Sequence, residues 1–224
     1  MGNLELVTII IIAANVIISF KGFNDPEFFH KYKFNIADIK SGKKYQILTS
    51  GFLHVNHAHL FVNMLTLYFF ADAVLHYLGT TGFIVVYLVS LVLGNLLSLY
   101  FHKDEWNYTA VGASGAVMGI LYSAILLNPD MMLGLFFIIP IPAYLFGIGY
   151  LLYTIYGMKS RRDSIGHDAH FGGAVGGYLS TIILAPYVLE AHLMMVILLA
   201  VPIVILFLLL FIFMFVIFLA NGQE

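Results

Sequence analysis

Gly112-Ala113-Ser114-Gly115 opens one apolar run, and Asp168-Ala169-His170-Phe171-Gly172-Gly173 opens another. In the first, a serine flanked by glycines heads a short apolar segment that ends by Asn128-Pro129. In the second, a histidine heads a segment stepped by Gly173 and Gly177, and Gly115 and Gly119 repeat that four-residue step below the serine. Small residues one turn apart let helix backbones approach where side chains would hold them apart. The two segments therefore read as packed helices carrying Ser114 and His170 near their N-terminal ends. Taken singly, each motif has a plainer reading. G-x-S-G serves packing as readily as chemistry, and the second run reads equally as a glycine zipper with an incidental histidine.

The rest of the chain sets the medium. Of 224 residues, 61% are hydrophobic and only 10% charged, where a soluble domain carries about a quarter charged residues. A crossing helix needs about 20 apolar residues. On that rule seven spans are expected: Leu4–Phe20, His57–Leu78, Phe83–Phe101, Ser114 to Asn128, Met131–Met158, Ala169–Tyr187 and Met194–Leu219. Prolines stand inside the fifth (Pro140, Pro142) and the seventh (Pro202). They would weaken or kink those helices. Leu4–Phe20 has no basic stretch before it and no small-residue cleavage site after it, so it reads as a span and not as a signal peptide.

The fourth span is too short to cross alone. A helix entered from a loop can start below the membrane surface where protein or a water cavity surrounds that loop, and Ser114 would then lie in a wet pocket. The first loop, 21–44, mixes aromatic residues with lysines and is expected to be partly helical at the interface. With a net charge of −2, no basic face points to nucleic acid. The absence of cysteine removes thiolate metal sites and a cysteine nucleophile.

Serine needs an adjacent base to become a nucleophile, and a histidine within a span is a functional candidate. A third segment, His54-Val55-Asn56-His57-Ala58-His59-Leu60-Phe61-Val62-Asn63, places His59 and Asn63 on one helix face. Both can donate hydrogen bonds to a developing oxyanion. Three histidines within six residues could instead bind zinc, although no H-E-x-x-H glutamate accompanies them. Polar links between helices are the plainer alternative.

In this order, H-x3-N, G-x-S-G and A-H-x2-G-x3-G together resemble the rhomboid intramembrane serine proteases. The resemblance runs from about Tyr45 to Tyr187 and includes Thr49-Ser50-Gly51-Phe52-Leu53-His54. It implies an all-α polytopic membrane protein with a six-helix core, 1–190, and an added C-terminal transmembrane helix and tail, 191–224. It implies a serine endopeptidase without cofactor or metal, in which Ser114 is the nucleophile and His170 the general base. His59, Asn63 and the Ser114 N–H would form the oxyanion hole. His54, Gly112, Gly115, Gly119, Gly173, Gly177 and Met118 would support the site. The implied partners are transmembrane protein substrates and the lipid bilayer, with lateral access beside span five and the loop at 157–168, and the expected location is the cell membrane.

Some positions depart from the family pattern. The Trp-Arg pair many members carry in the first loop is missing, with Tyr45-Gln46 near its place, and the only tryptophan is Trp106. Met118 stands where some members stack an aromatic ring on the histidine. Asp168, two residues from His170, points away on a helix, which leaves a Ser–His dyad. A non-proteolytic membrane chaperone of the same fold is the alternative, and a transporter using intramembrane histidines a weaker one. An aspartyl intramembrane protease would need G-x-G-D, which is absent.

Overall fold

The computed structural model describes residues 5–135, 139–160 and 165–221, with side chains up to residue 212 except that of Leu135. The first helix, α1 (Leu6–Asn24), turns Thr8, Asn15 and Ser19 inward, while Leu6, Ile10 and Ile17 face outward. Polar groups inside and bare aliphatic surface outside is the arrangement a bilayer favours. The expected start of this span at Leu4 lies outside the described residues. Two short helices, α2 (Pro26–Tyr32) and α3 (Ile36–Lys40), follow in the first loop, so the loop is partly helical as read from its composition. Between them strand β1 (Phe34–Asn35) carries a buried Phe34. A helical turn α4 (Gln46–Thr49) and a 3-10 turn (Ser50–Phe52) lead to the long helix α5 (His57–Phe101).

Spans two and three are this one 45-residue element. It breaks at Gly79, whose φ of 64° and ψ of −178° no helix contains. That left-handed φ suits glycine, and the two helices join there across a kink without a separate loop. By length and composition, three described helices can cross a membrane: α1, α5 and the C-terminal α10 (Leu193–Asn221). The Asn56 side chain caps α5 by accepting from the His59 N–H at 2.8 Å.

After strand β2 (Thr109–Ala110) comes α6 (Ser114–Leu127), 14 residues long. At 1.5 Å per residue it measures about 21 Å, short of the roughly 30 Å hydrocarbon core. It is nevertheless the most enclosed element, with every residue from Gly119 to Leu127 buried. The expected fifth helix from Met131 is corrected. Strand β3 (Met132–Leu135) pairs antiparallel with β4 (Ile139–Pro142), and helix begins only with α7 (Ala143–Ser160). The Ala143 N–H donates to the Met131 carbonyl at 2.8 Å. Strand N–H groups alternate in direction, so positions 140 and 142 face the free edge, where proline forfeits no ladder bond. Pro140 and Pro142 therefore shape a strand edge and kink no helix.

Helix α8 (His167–Leu184) runs through the centre, followed by a turn α9 (Val188–Ala191) and α10. Met195, Val196, Leu199, Ile203 and Leu206 form the buried stripe of α10, and the Tyr178 hydroxyl donates to the Val196 carbonyl at 3.1 Å. Pro202 stays within that helix.

Within the core, α8 meets α6 and α5 at glycines, with almost no side chain between the backbones. A methyl group on Gly173 would overlap the backbone of Gly115, and one on Gly177 would overlap that of Gly119. On the neighbouring face of α8, a methyl on Gly172 would lie 2.7 Å from the Leu93 carbonyl oxygen and one on Gly176 2.8 Å from the Ser90 Cα. Thus α8 presses one glycine stripe on α6 and another on α5. The Thr181 and Ser123 hydroxyls, 2.7 Å apart, close the seam below.

The seam makes a stability prediction. Glycine to alanine gains helix propensity anywhere in a helix interior, and Gly149 on α7 has nothing within 4 Å of its would-be methyl. Gly149→Ala is expected to hold or raise the unfolding temperature in detergent. Gly173→Ala should lower it, by an overpacking cost of about 1–3 kcal/mol or more. Equal melting of the two variants would refute the close seam.

Candidate active site

The site begins with how the loops are pinned. Gln46 is fully buried. Its Oε1 accepts from the Asn35 N–H at 3.1 Å, and its Nε2 donates to the Lys31 carbonyl at 3.1 Å and to Asp38 Oδ2 at 3.0 Å. Hydrogen bonds from Lys43 and Gln46 hold the Asp38 carboxyl below its ordinary range. So staked, the first loop pairs β1 with β2, Phe34 opposite Ala110 and Asn35 opposite Thr109. Trp106 receives Lys40 over its ring at 4.9 Å. The docking is thus done by Gln46 and two short strands, without the Trp-Arg pair.

That ladder delivers the chain to Gly112. Its N–H donates to the Ser50 carbonyl at 3.0 Å, and the turn holding Ser50 is fixed by Asn95, whose amide donates to the Ile47 carbonyl at 2.7 Å and to Ser50 Oγ at 3.2 Å. Gly112 has a φ of 137°, which an L side chain rarely adopts. A Cβ there would lie 2.7 Å from His59 Cε1, 3.0 Å from His59 Nε2 and 3.6 Å from Ser114 Oγ. Gly112 thus keeps open a small gap bounded by the His59 ring and the Ser114 hydroxyl. Ser114 is half-buried at the first position of α6.

His54 is fully buried beneath this loop. Its Nε2 accepts from the Ala113 N–H at 3.4 Å, and its Nδ1 lies 2.9 Å from Ser19 Oγ. Burial, with His59 nearby, pushes the His54 pKa down to about 3. The ring is therefore neutral. Because Nε2 accepts, Nδ1 carries the proton and donates to Ser19, whose hydroxyl donates on to the Phe52 carbonyl at 3.0 Å. The chain of bonds ties α1 to the residue before Ser114. His54 and His59 meet edge to face, 4.9 Å between ring centroids, whereas His57 turns to Phe20 and Phe23. Among the described residues no His, Cys, Asp and Glu cluster could hold a metal ion. Asn63 is buried, and its amide donates to the His59 carbonyl at 2.9 Å, leaving a second N–H. His59 Nδ1 is buried without a hydrogen-bond partner.

On the facing helix, a methyl on Gly115 would lie 3.2 Å from the Ala169 carbonyl oxygen, so the start of α6 meets the start of α8 one residue from each candidate. His170 is half-buried, and its Nδ1 pairs with the Tyr150 hydroxyl at 2.6 Å. Tyr150, on α7, also stacks on the ring at 5.9 Å and 30°. This contact was not foreseen, and Met118 instead packs against the hydrophobic core. Asp168 points away, as helix geometry requires, with Oδ1 3.6 Å from His102 Nε2. Burial opposes charge on His102, but Asp168 and Glu105 outweigh it and raise its pKa.

The rhomboid domain profile matches residues 41–187, most of the chain. The chain belongs to the rhomboid family. It is 29% identical over 181 residues to RHOMBOID-like protein 12, mitochondrial, of Arabidopsis thaliana, covering 74% of this chain and 54% of that protein. It is 31% identical over 157 residues to Rhomboid protein 1, mitochondrial, of Saccharomyces cerevisiae, covering 68% and 45%. To Presenilin-associated rhomboid-like protein, mitochondrial, of Homo sapiens it is 31% identical over 137 residues, covering 58% and 35%. The matched stretch spans about half the length of these relatives or less. The matched region takes in the rhomboid bundle from the first loop to α8, and a multi-pass integral membrane protein follows.

The neutral His54 links stability to pH. An unfolded histidine takes up a proton below about pH 6.5, and the folded ring takes one only near 3. Its contribution is fully present above pH 6.5 and is lost as pH falls from there toward 3, by up to about 1.4 kcal/mol per pH unit. His54→Gln should flatten the decline of unfolding temperature between pH 7 and pH 5. A decline as steep as in the parent would show that His54 does not carry it.

Proposed function

We propose that this chain is an intramembrane serine protease that hydrolyses peptide bonds in or near transmembrane segments of membrane proteins, with Ser114 as nucleophile and His170 as general base. The observation that carries this reading is the contact of Gly115 with the Ala169 carbonyl, which sets the serine and histidine ends of α6 and α8 together beside the gap at Gly112. In the first step His170 Nε2 takes the Ser114 proton as Oγ attacks the scissile carbonyl. The tetrahedral oxyanion is met by the Ser114 N–H, the His59 ring and the free N–H of Asn63. His170 then protonates the departing amine, and water, admitted because α6 starts below the surface, hydrolyses the acyl-enzyme. Substrate helices approach beside α7.

Ser114→Ala and His170→Ala should each abolish cleavage of a transmembrane substrate in reconstituted vesicles, by about 10³-fold or more, since nucleophile and base act as a unit. Both should still fold, and only the parent's Ser114 should label with a serine-directed phosphonate. Asn63→Ala should lower kcat by about 10-fold to 10³-fold with KM nearly unchanged. Undiminished proteolysis by purified Ser114→Ala would remove the dyad.

We place the site on the non-cytoplasmic face. The basic residues oppose this: Lys21, Lys31, Lys33, Lys40, Lys43 and Lys44 in and beside the first loop, Lys103 in the third, and Lys159, Arg161 and Arg162 in the fifth. These loops lie on the catalytic side, which the positive-inside rule would make cytoplasmic; Arg161 and Arg162 lie outside the described residues. The rule is statistical, and the short helices of the first loop suit the interface, where lysines snorkel. With no native cysteine, Lys44→Cys should react with an impermeant maleimide only from outside; reaction only from the cytoplasm would reverse the orientation. The expected cell membrane stands against the mitochondrial names of the relatives, and fractionation with a marker for each membrane decides between them.

A further inference from the structure

We propose that Tyr150 of α7 is the positioning residue of His170, holding the base through its hydroxyl in the place where a carboxylate stands in a three-residue relay; this rests on the protease reading above. The hydroxyl lies 2.6 Å from His170 Nδ1, and the rings overlap at 5.9 Å and 30°. Tyr150 is itself backed one turn away by Phe146, stacked at 5.7 Å and 17°. The nearest acid on α8, Asp168, is directed to His102, and residue 118 supplies no ring.

The proton bookkeeping fixes what Tyr150 does. To accept the Ser114 proton, Nε2 must present a lone pair, so the resting proton sits on Nδ1 and Nδ1–H donates to the Tyr150 oxygen. When Oγ bonds to the carbonyl carbon, its proton moves to Nε2 and the ring becomes imidazolium. The Nδ1–H remains on the tyrosine oxygen, and no proton passes to Tyr150. A phenol can also donate to Nδ1, so the role requires that Tyr150 accept there and turn its own O–H elsewhere; so held, it aims the ring without placing a second charge in the low-dielectric interior, where an unpaired carboxylate is costly. Its hold comes from α7, the helix beside which substrate approaches.

The test is Tyr150→Phe, which keeps the ring and removes the hydroxyl, in the full chain reconstituted with a transmembrane reporter. Expected are a fall in kcat of about 10-fold to 10²-fold, an unchanged KM, and an unfolding temperature close to the parent's. The 15N resonances of the His170 ring, assigned by their loss in His170→Asn, should move from a single Nδ1–H tautomer to a mixture. Tyr153→Phe, one turn along α7, should change neither. An active parent matched by Tyr150→Phe in kcat and tautomer overturns the positioning role alone. A parent that neither cleaves nor labels at Ser114 overturns the protease reading and this role with it, while the tautomer, which needs no turnover, still reports whether the pairing exists. A cleaving Tyr150→Phe that unfolds far below the parent yet keeps one tautomer also counts against it.

Discussion

Close backbone contact among α5, α6 and α8 is the constraint on which the rest depends. Lipid gives helices no hydrophobic reason to associate, so association rests on packing and internal hydrogen bonds. Here α8 carries two glycine stripes, Gly173 and Gly177 against α6, and Gly172 and Gly176 against α5. Some of the polar groups brought inward by such an approach are paired, as with Thr181 and Ser123 or Asn95 and Ser50, whereas Ser90 Oγ, pressed against Gly119 and Gly176, is buried without a hydrogen-bond partner among the described residues. Because contact is backbone to backbone, it is short-range and leaves little slack. The positions of Ser114 and His170 follow from it more than from any side-chain contact between them.

Around that seam the polar scaffold is built in layers. Gln46 stakes the first loop, the β1–β2 pairing carries its position to residue 110, and Ser50 and His54 hold Gly112 and Ala113. Each is a bond to backbone, so the loop before Ser114 takes its shape from main-chain atoms. Gly112 can then leave its gap open, since its φ and its neighbours both exclude a side chain.

Much of this was legible in the sequence because four-residue glycine steps and polar residues in apolar runs have few other uses. The stripe facing α6 was read from Gly173 and Gly177, and the polar edge of α5 from His59 and Asn63. The paired strands β3 and β4 were misread because a continuous apolar run carries no periodicity to separate strand from helix; Pro140 and Pro142, two apart, were the signal that favoured a strand edge. The second stripe, Gly172 and Gly176, was in plain view, but its partner is Ser90 and Leu93 on a helix with no matching glycine step beyond Gly94. Tyr150 was hidden for a different reason. It is one of four tyrosines in α7, with Tyr144, Tyr153 and Tyr156, and only tertiary packing distinguishes the one that reaches His170.

The seam at Gly173 also limits how the chain can change over evolutionary time. In an ordinary core, a residue that grows is accommodated by a neighbour that shrinks. Here the neighbour is the carbonyl of Gly115, part of the main chain, and glycine has nothing left to remove. No substitution on α6 at that contact can make room for a side chain on α8. A second-site suppressor would have to act by displacing a whole helix, and that displacement would carry Ser114 with it. Recovery of the fold and retention of the site geometry are therefore opposed at this position, which makes its glycine harder to replace than burial alone implies.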